Sequence, residues 1–140
     1  MLYLDTSLLV AALTNEAETG RIQSWLGQQT EDDLAISDWV VTEFSSALSI
    51  KLRAGRIEPA HRAESLAVFT RLTTESFAVM PVSRLQFRTA ARLANQHTLG
   101  LRAGDALHLA IGADHGATLC TLDRRLDDAG SALGIKTMLL

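Results

Sequence analysis

Short apolar runs alternate with longer amphipathic segments along the whole chain. The amphipathic segments carry apolar residues at helical spacing, and they predict helices at residues 7–13, 18–29, 38–53, 59–74, 84–98, 104–115 and 124–132. The runs between them are too short for helices, and they predict buried strands at residues 2–5, 34–37, 77–82, 118–122 and 136–140. The pattern thus indicates strands and helices in alternation.

This alternation determines the expected fold class. Strands that are separated by helices pair in parallel, and the connecting helices cover both faces of the sheet. We therefore expect a three-layer α/β/α fold with a mostly parallel central sheet. No linker, repeat or low-complexity tract interrupts residues 1–140, which indicates a single domain. In such sheets, binding sites lie outside the carboxyl ends of the strands.

Composition narrows the class of protein. The chain has 47% apolar and 21% charged residues, which is the balance of a globular domain. Its one cysteine, Cys120, excludes an intramolecular disulfide and favours a reducing compartment. No apolar run approaches the ~20 residues that span a bilayer, and no basic segment of a signal peptide precedes Asp5. We therefore expect a cytoplasmic protein without a membrane partner.

The net charge of −3 lacks the basic footprint that is typical of nucleic-acid-binding proteins. It does not exclude such a ligand, because divalent cations bound among carboxylates would reduce the negative field that the ligand meets.

Four of the acidic residues occupy positions where a solvated surface charge is a poor explanation. Asp5 and Asp123 directly follow predicted strands, so their carboxylates would meet at one edge of a parallel sheet if those strands are neighbours. Glu43 lies at the edge of an apolar helix stripe, and Asp105 opens a helix that is apolar on most sides. Each also has a structural explanation: helix capping for Asp5 and Asp123, the helix dipole for Asp105, and a water-facing boundary position for Glu43.

Together the four carboxylates indicate a cation site. Carboxylates that share a crevice repel one another unless cations are present. Mg²⁺ and Mn²⁺ prefer oxygen ligands, and they activate water in phosphodiester hydrolysis. No spacing of histidine and cysteine suggests zinc. On this hypothesis Asp5 lies at the crevice and not in the core.

Four stretches of the chain resemble the PIN-domain ribonucleases, and in particular the VapC-type toxins of bacterial toxin–antitoxin pairs. They are LDTSLL with Asp5, SDWVVTEFSSAL with Glu43, LRAGDALHLAIGA with Asp105, and TLD with Asp123. The resemblance covers essentially the whole chain, and AGDALHLA is its most specific part. Three acidic residues of the family carry over onto Asp5, Glu43 and Asp105. The fourth acidic position, which is less uniform in the family, carries over onto Asp123.

The resemblance implies a Mg²⁺- or Mn²⁺-dependent endoribonuclease toxin. It implies a homodimer that a VapB-type antitoxin inhibits. Asp5, Asp105 and Asp123 would bind metal, and Glu43 would bind metal or orient the attacking water.

Three further residues are candidate contacts around the site. Thr6 resembles the small hydroxyl residue that follows the first aspartate of the family, where it would support the metal shell or the substrate phosphate; helix capping is its alternative role. Arg102 and Arg124 flank the acidic residues in sequence, so they are candidate contacts for RNA phosphates.

Two other functions stay open at this point. The chain could be a catalytically silent PIN-like module that binds RNA or an antitoxin, although such a module has no need of four carboxylates. It could also be a phosphatase with Asp5 as nucleophile. Phosphatases of the haloacid dehalogenase type carry a second Asp two residues later, and this chain has Ser7 there.

Overall fold

One parallel sheet of five strands organises the chain in the computed structural model, which describes all 140 residues. The strands are β1 (Leu2–Leu4), β2 (Leu34–Ser37), β3 (Ala78–Met80), β4 (Thr118–Thr121) and β5 (Thr137–Leu139). The helices are α1 (Thr6–Leu13), α2 (Thr19–Leu26), α3 (Asp38–Arg53), α4 (Pro59–Glu75), α5 (Arg84–Ala94), α6 (Ala103–Asp114) and α7 (Arg124–Ala132).

The strand order is β3–β2–β1–β4–β5, and every neighbouring pair is parallel. Connections between parallel strands are almost always right-handed, so α1 to α4 cover one face and α5 to α7 cover the other. The expected three-layer α/β/α fold is confirmed. The direction of the connections reverses between β1 and β4, and a crevice opens at the carboxyl ends of strands at such a reversal.

Two helices are shorter than the periodicity predicts. Helix α2 ends at Leu26 and not near residue 29, because Gly27 and two polar residues, Gln28 and Gln29, follow it. Helix α5 ends at Ala94 and not at residue 98, and a 3-10 turn covers His97–Leu99. The two residues between the helix and that turn, Asn95 and Gln96, are polar and exposed, so extending the helix would bury no apolar face.

The core lies between the sheet and both helix layers, and it contains 28 buried apolar residues. The largest of them include Tyr3 on β1, Ile36 on β2 and Leu109 on α6, each fully buried. Phe44 of α3 is also fully buried, and it stacks on Phe69 of α4 with ring centroids 4.1 Å apart. No helix combines the length and the apolar character that crossing a bilayer requires.

Phe44→Ala should destabilise the fold by about 3–5 kcal/mol, because it leaves a cavity where two aromatic rings stack. Urea denaturation at neutral pH measures this change. Phe87→Ala is the matched control, since the Phe87 side chain is 53% exposed and its removal should cost less than about 0.5 kcal/mol. An equal loss in both variants would show that Phe44 does not support the core.

Candidate active site

Asp5 stands at the carboxyl end of the central strand β1, where it caps helix α1. Its Oδ1 accepts hydrogen bonds from the Ser7 hydroxyl at 2.6 Å and from the Leu8 amide at 3.2 Å. Its Oδ2 accepts a hydrogen bond from the Thr121 hydroxyl of β4 at 2.6 Å. Only 4% of Asp5 is exposed, so the expectation that it lies outside the core is wrong. Two side-chain hydroxyls and a backbone amide donate to its carboxylate.

The environment of Asp5 is unfavourable to its charge. Burial raises the pKa of the Asp5 carboxyl above its usual range, although His108 and the surrounding hydrogen bonds act in the opposite direction. No lysine or arginine forms an ion pair with Asp5. The folded chain therefore holds a buried carboxylate whose ionised form no lysine or arginine neutralises.

Asp123 is joined to Asp5 through a single hydroxyl. Thr121 Oγ1 donates to Asp5 Oδ2 and accepts from the Asp123 backbone amide at 2.9 Å. The Asp123 carboxylate turns toward helix α7, where its Oδ1 accepts from the Arg125 amide at 2.9 Å and caps the helix. The capping interpretation thus holds for both Asp5 and Asp123. The strands that precede them, β1 and β4, are parallel neighbours, which was the condition for their carboxylates to share one sheet edge.

Glu43 on α3 receives two side-chain hydrogen bonds on the same oxygen. Oε2 accepts from the Thr6 hydroxyl at 2.5 Å and contacts His108 Nε2 at 2.7 Å. Partial burial acts to raise the pKa of Glu43, but interaction with His108 and the Thr6 hydrogen bond outweigh it and lower the pKa. The Trp39 side chain also acts to lower this pKa. Glu43 is therefore an ionised carboxylate whose Oε1 takes part in neither the Thr6 nor the His108 hydrogen bond.

Thr6 itself does not cap helix α1, since Asp5 fills that position. Capping is thus excluded for Thr6, and its hydroxyl contacts the Glu43 carboxylate. Its role toward a metal shell or a substrate phosphate stays a prediction.

Asp105 lies in the first turn of α6, beside the Glu43 carboxylate. Its Oδ2 accepts from the Arg102 backbone amide at 3.1 Å, which satisfies one free donor at the start of the helix. The preceding residue, Gly104, packs directly against Glu43: a Cβ atom at position 104 would lie 2.7 Å from Glu43 Oε1. The glycine therefore provides the space that the Glu43 carboxylate occupies.

Three residues that the sequence analysis did not select complete the hydrogen-bond network of the site. His108 Nδ1 lies 2.8 Å from the Tyr3 hydroxyl, which lies 2.8 Å from the Ser37 hydroxyl. All three are buried. The signal that could have identified His108 is its position one turn after Asp105 on an otherwise apolar helix.

The two candidate arginines lie on the surface near the site carboxylates. Arg102 is exposed immediately before α6, and Arg124 is exposed as the first residue of α7. Neither forms an ion pair with a protein carboxylate, so both guanidinium groups can contact a ligand.

The donor chemistry of this site fits a hard divalent cation. All four candidate ligands are carboxylates. Asp105 Oδ1 and Asp123 Oδ2 have no protein donor, and Glu43 Oε1 accepts neither the Thr6 nor the His108 hydrogen bond. However, no three acidic, histidine or cysteine side chains lie close enough together to hold one ion. The three aspartates that we expected to share one ion are therefore not brought together in this structure. Mg²⁺ is often held by one or two carboxylates, with water and substrate phosphates completing its shell.

Comparison with known proteins gives the class to which this fold and site belong. The profile of the PIN domain matches residues 2–131, so the chain belongs to the PIN-domain family. Within that family, it is 32% identical to Ribonuclease VapC35 of Mycobacterium tuberculosis over 141 aligned positions. The alignment covers 96% of this chain and 93% of that protein.

Solved structures of VapC proteins share the fold. VapC20 of Mycobacterium tuberculosis, a sarcin–ricin loop cleaving toxin, superposes with a TM-score of 0.74 at 19% identity, covering 93% of this chain and 95% of that one. VapBC-5 of the same organism, from the VapBC family of toxin–antitoxin systems, gives a TM-score of 0.61 at 19% identity. Its coverage is 99% of this chain and 97% of that one. At these identities the likeness establishes the fold.

Asp5→Asn should stabilise the metal-free protein at neutral pH. Because the pKa of Asp5 is raised on folding, the contribution of Asp5 to the stability of the wild type is most favourable below the ordinary aspartate pKa of about 3.9. It loses stability as the pH rises from there through the folded-state pKa. The variant lacks this loss, and asparagine caps a helix as well as aspartate does.

Denaturation in EDTA between pH 4.5 and 8 measures the difference, which should widen as the pH rises. Asp123→Asn is the control at the same sheet edge, where the side chain is more exposed. A variant less stable than the wild type at neutral pH would show that the ionised Asp5 stabilises the fold as a cap.

Proposed function

We propose that this chain is the toxin of a type II toxin–antitoxin pair, a Mg²⁺- or Mn²⁺-dependent endoribonuclease that acts in the cytoplasm on RNA. One observation carries the proposal: Asp5, Glu43, Asp105 and Asp123 lie on four different elements at the carboxyl end of the sheet, and none pairs with a lysine or arginine. The 32% identity to a VapC ribonuclease supports the same activity.

The four carboxylates divide into two groups. Asp105 and Asp123 are partly exposed with one oxygen each free of protein donors, so either could provide a ligand to the cation, whose shell water and substrate phosphate would complete. Glu43 would bind through Oε1 or orient the attacking water. When bound, the cation activates water and stabilises the leaving oxygen of the phosphodiester.

No side chain of this chain needs to act as a nucleophile. The Ser7 hydroxyl is committed to Asp5 and accepts from the Leu122 amide. Cys120 is fully buried, and burial raises the pKa of its thiol to about 12. Water is thus the nucleophile that the site leaves available.

The RNA would meet the site through its phosphates. Arg102 and Arg124 are exposed at the starts of α6 and α7, the helices that carry or follow Asp105 and Asp123. Exposed guanidinium groups without carboxylate partners suit phosphate oxygens. Thr6 supports the Glu43 carboxylate and, through it, the shell of the cation.

The proposed protein partners are a VapB-type antitoxin and a second copy of the chain. The likeness to VapC proteins supports both. Exposed apolar side chains on α5, Leu85 at 61% and Phe87 at 53%, support an association between proteins at that face.

Removing a site carboxylate should abolish RNA cleavage by the purified, antitoxin-free protein. With transfer RNAs and ribosomal RNA hairpins as substrates and Mn²⁺ present, Asp5→Asn, Glu43→Gln and Asp105→Asn should each lower the cleavage rate by at least about 100-fold. Excess EDTA should stop cleavage by the wild type, and added Mn²⁺ should restore it.

Asp38→Asn is the matched control, since Asp38 is an exposed acid on the same helix as Glu43. Cleavage by Asp5→Asn at the wild-type rate would refute the proposed chemistry. A wild type that binds these RNAs without cleaving them under any divalent cation would establish the alternative, a catalytically silent binding module.

Gly104→Ala should lower activity without unfolding the protein. The new methyl group would lie 2.7 Å from Glu43 Oε1, so the flexible end of Glu43 must move. Displacing a catalytic group by about 1 Å can lower a rate by roughly 100-fold. Steady-state cleavage kinetics and thermal unfolding measure the two effects.

Gly112→Ala on the same helix is the control for this substitution. Its Cβ would meet Tyr3 and Leu119 at 3.7 and 3.8 Å, which is ordinary van der Waals contact. Near wild-type activity in both variants would show that the position of Glu43 does not matter for cleavage.

A further inference from the structure

His108 connects the two helix layers at the carboxyl end of the sheet. It is 3% exposed on α6, and both ring nitrogens make contacts: Nε2 with Glu43 Oε2 at 2.7 Å and Nδ1 with the Tyr3 hydroxyl at 2.8 Å. A carboxylate oxygen accepts hydrogen bonds, so Nε2–H is the donor in this contact. The ring is therefore held at both of its polar atoms.

The Tyr3 hydroxyl is itself fixed by the start of helix α3. It lies 2.8 Å from the Ser37 hydroxyl, and Ser37 Oγ accepts from the Val40 amide as the cap of that helix. Helix α3 carries Glu43, so the hydrogen bonds run from the cap of α3 through Tyr3 and His108 back to a side chain of α3. Each of these groups is buried except Glu43, which is partly exposed.

The result is a Glu43 carboxylate with two unlike oxygens. Oε2 receives both hydrogen bonds, from Thr6 and from His108. Oε1 accepts neither of these hydrogen bonds and lies against Gly104, at the start of the helix turn that carries Asp105. A histidine that only packs in the core would also need hydrogen bonds at its ring nitrogens. Packing alone does not explain why its contact is with the same Glu43 oxygen that Thr6 binds.

We propose that His108 is a positioning residue that binds Glu43 Oε2 so that Oε1 is directed to the ligand, and that Tyr3 and Ser37 fix the ring of His108. This role rests on the proposed ribonuclease function, because it assigns the Glu43 atom that faces the cation and substrate. His108 does not itself touch the reacting atoms.

Replacing His108 separates positioning from packing. His108→Leu keeps an apolar side chain in the buried space but removes the donor, and it should lower kcat by on the order of 10–100-fold with KM for RNA little changed. His108→Gln places an amide N–H near the position of Nε2, so it should restore most of the lost kcat. A folded His108→Leu with wild-type kcat, or a folded His108→Gln no better than His108→Leu, would overturn the proposal.

A double-mutant cycle tests the second half of the inference. Tyr3→Phe removes one hydroxyl and keeps the ring in the core, and it should lower kcat in the wild-type background. In the His108→Leu background it should have no further effect on kcat, because Tyr3 acts through His108. Equal effects in both backgrounds would show that Tyr3 does not act through the ring.

A readout without RNA or metal distinguishes this inference from the proposed function. In ¹H–¹⁵N NMR spectra of the metal-free protein, the His108 Nε2–H proton should be protected from solvent exchange, and Glu43→Ala should remove that protection. Equal protection in Glu43→Ala would overturn the positioning role whatever the activity. If the protection depends on Glu43 but the protein cleaves no RNA, the contact between His108 and Glu43 is supported. Only the ribonuclease function is then refuted.

Discussion

The pairing of β1 with β4 is the constraint on which the site depends. Leu4 lies opposite Cys120 in this pair, so Asp5 and Thr121 lie side by side at the carboxyl ends of the two strands. A hydrogen bond from the Thr121 hydroxyl to the Asp5 carboxylate joins them. The connections leave β1 and β4 toward opposite faces, so no helix crosses the gap between their ends. Helices α3 and α6 then approach from the two faces, and they meet over this edge at the contact between Glu43 and His108.

Hydroxyl groups replace water around the acidic residues of this edge. Ser7 and Thr121 donate to Asp5, and Thr6 donates to Glu43. A hydroxyl can support a carboxylate without neutralising it, whereas a lysine or arginine would occupy it with an ion pair. The site is therefore organised and still negative, which is the state that a cation or a cation-bound phosphate ester requires.

The sequence was sufficient to predict the strands, the layers and the positions of the four carboxylates, since these follow from local periodicity and from acids placed directly after apolar runs. It did not reveal how deeply Asp5 is buried, because that depends on Thr121, 116 positions away. Nor did it identify the role of His108, whose partners Glu43 and Tyr3 are 65 and 105 positions away. Contacts of this kind leave no periodic trace in a single sequence.

Asp5 has a consequence for how chains of this kind change over generations. A buried carboxylate without a cationic partner opposes folding, and asparagine can fill the same helix-capping position without that penalty. Only selection for the chemistry of the site therefore maintains aspartate there. A copy of the gene released from that selection can replace it and become more robust, so inactive descendants of this chain will persist as well-folded proteins and not as unstable remnants.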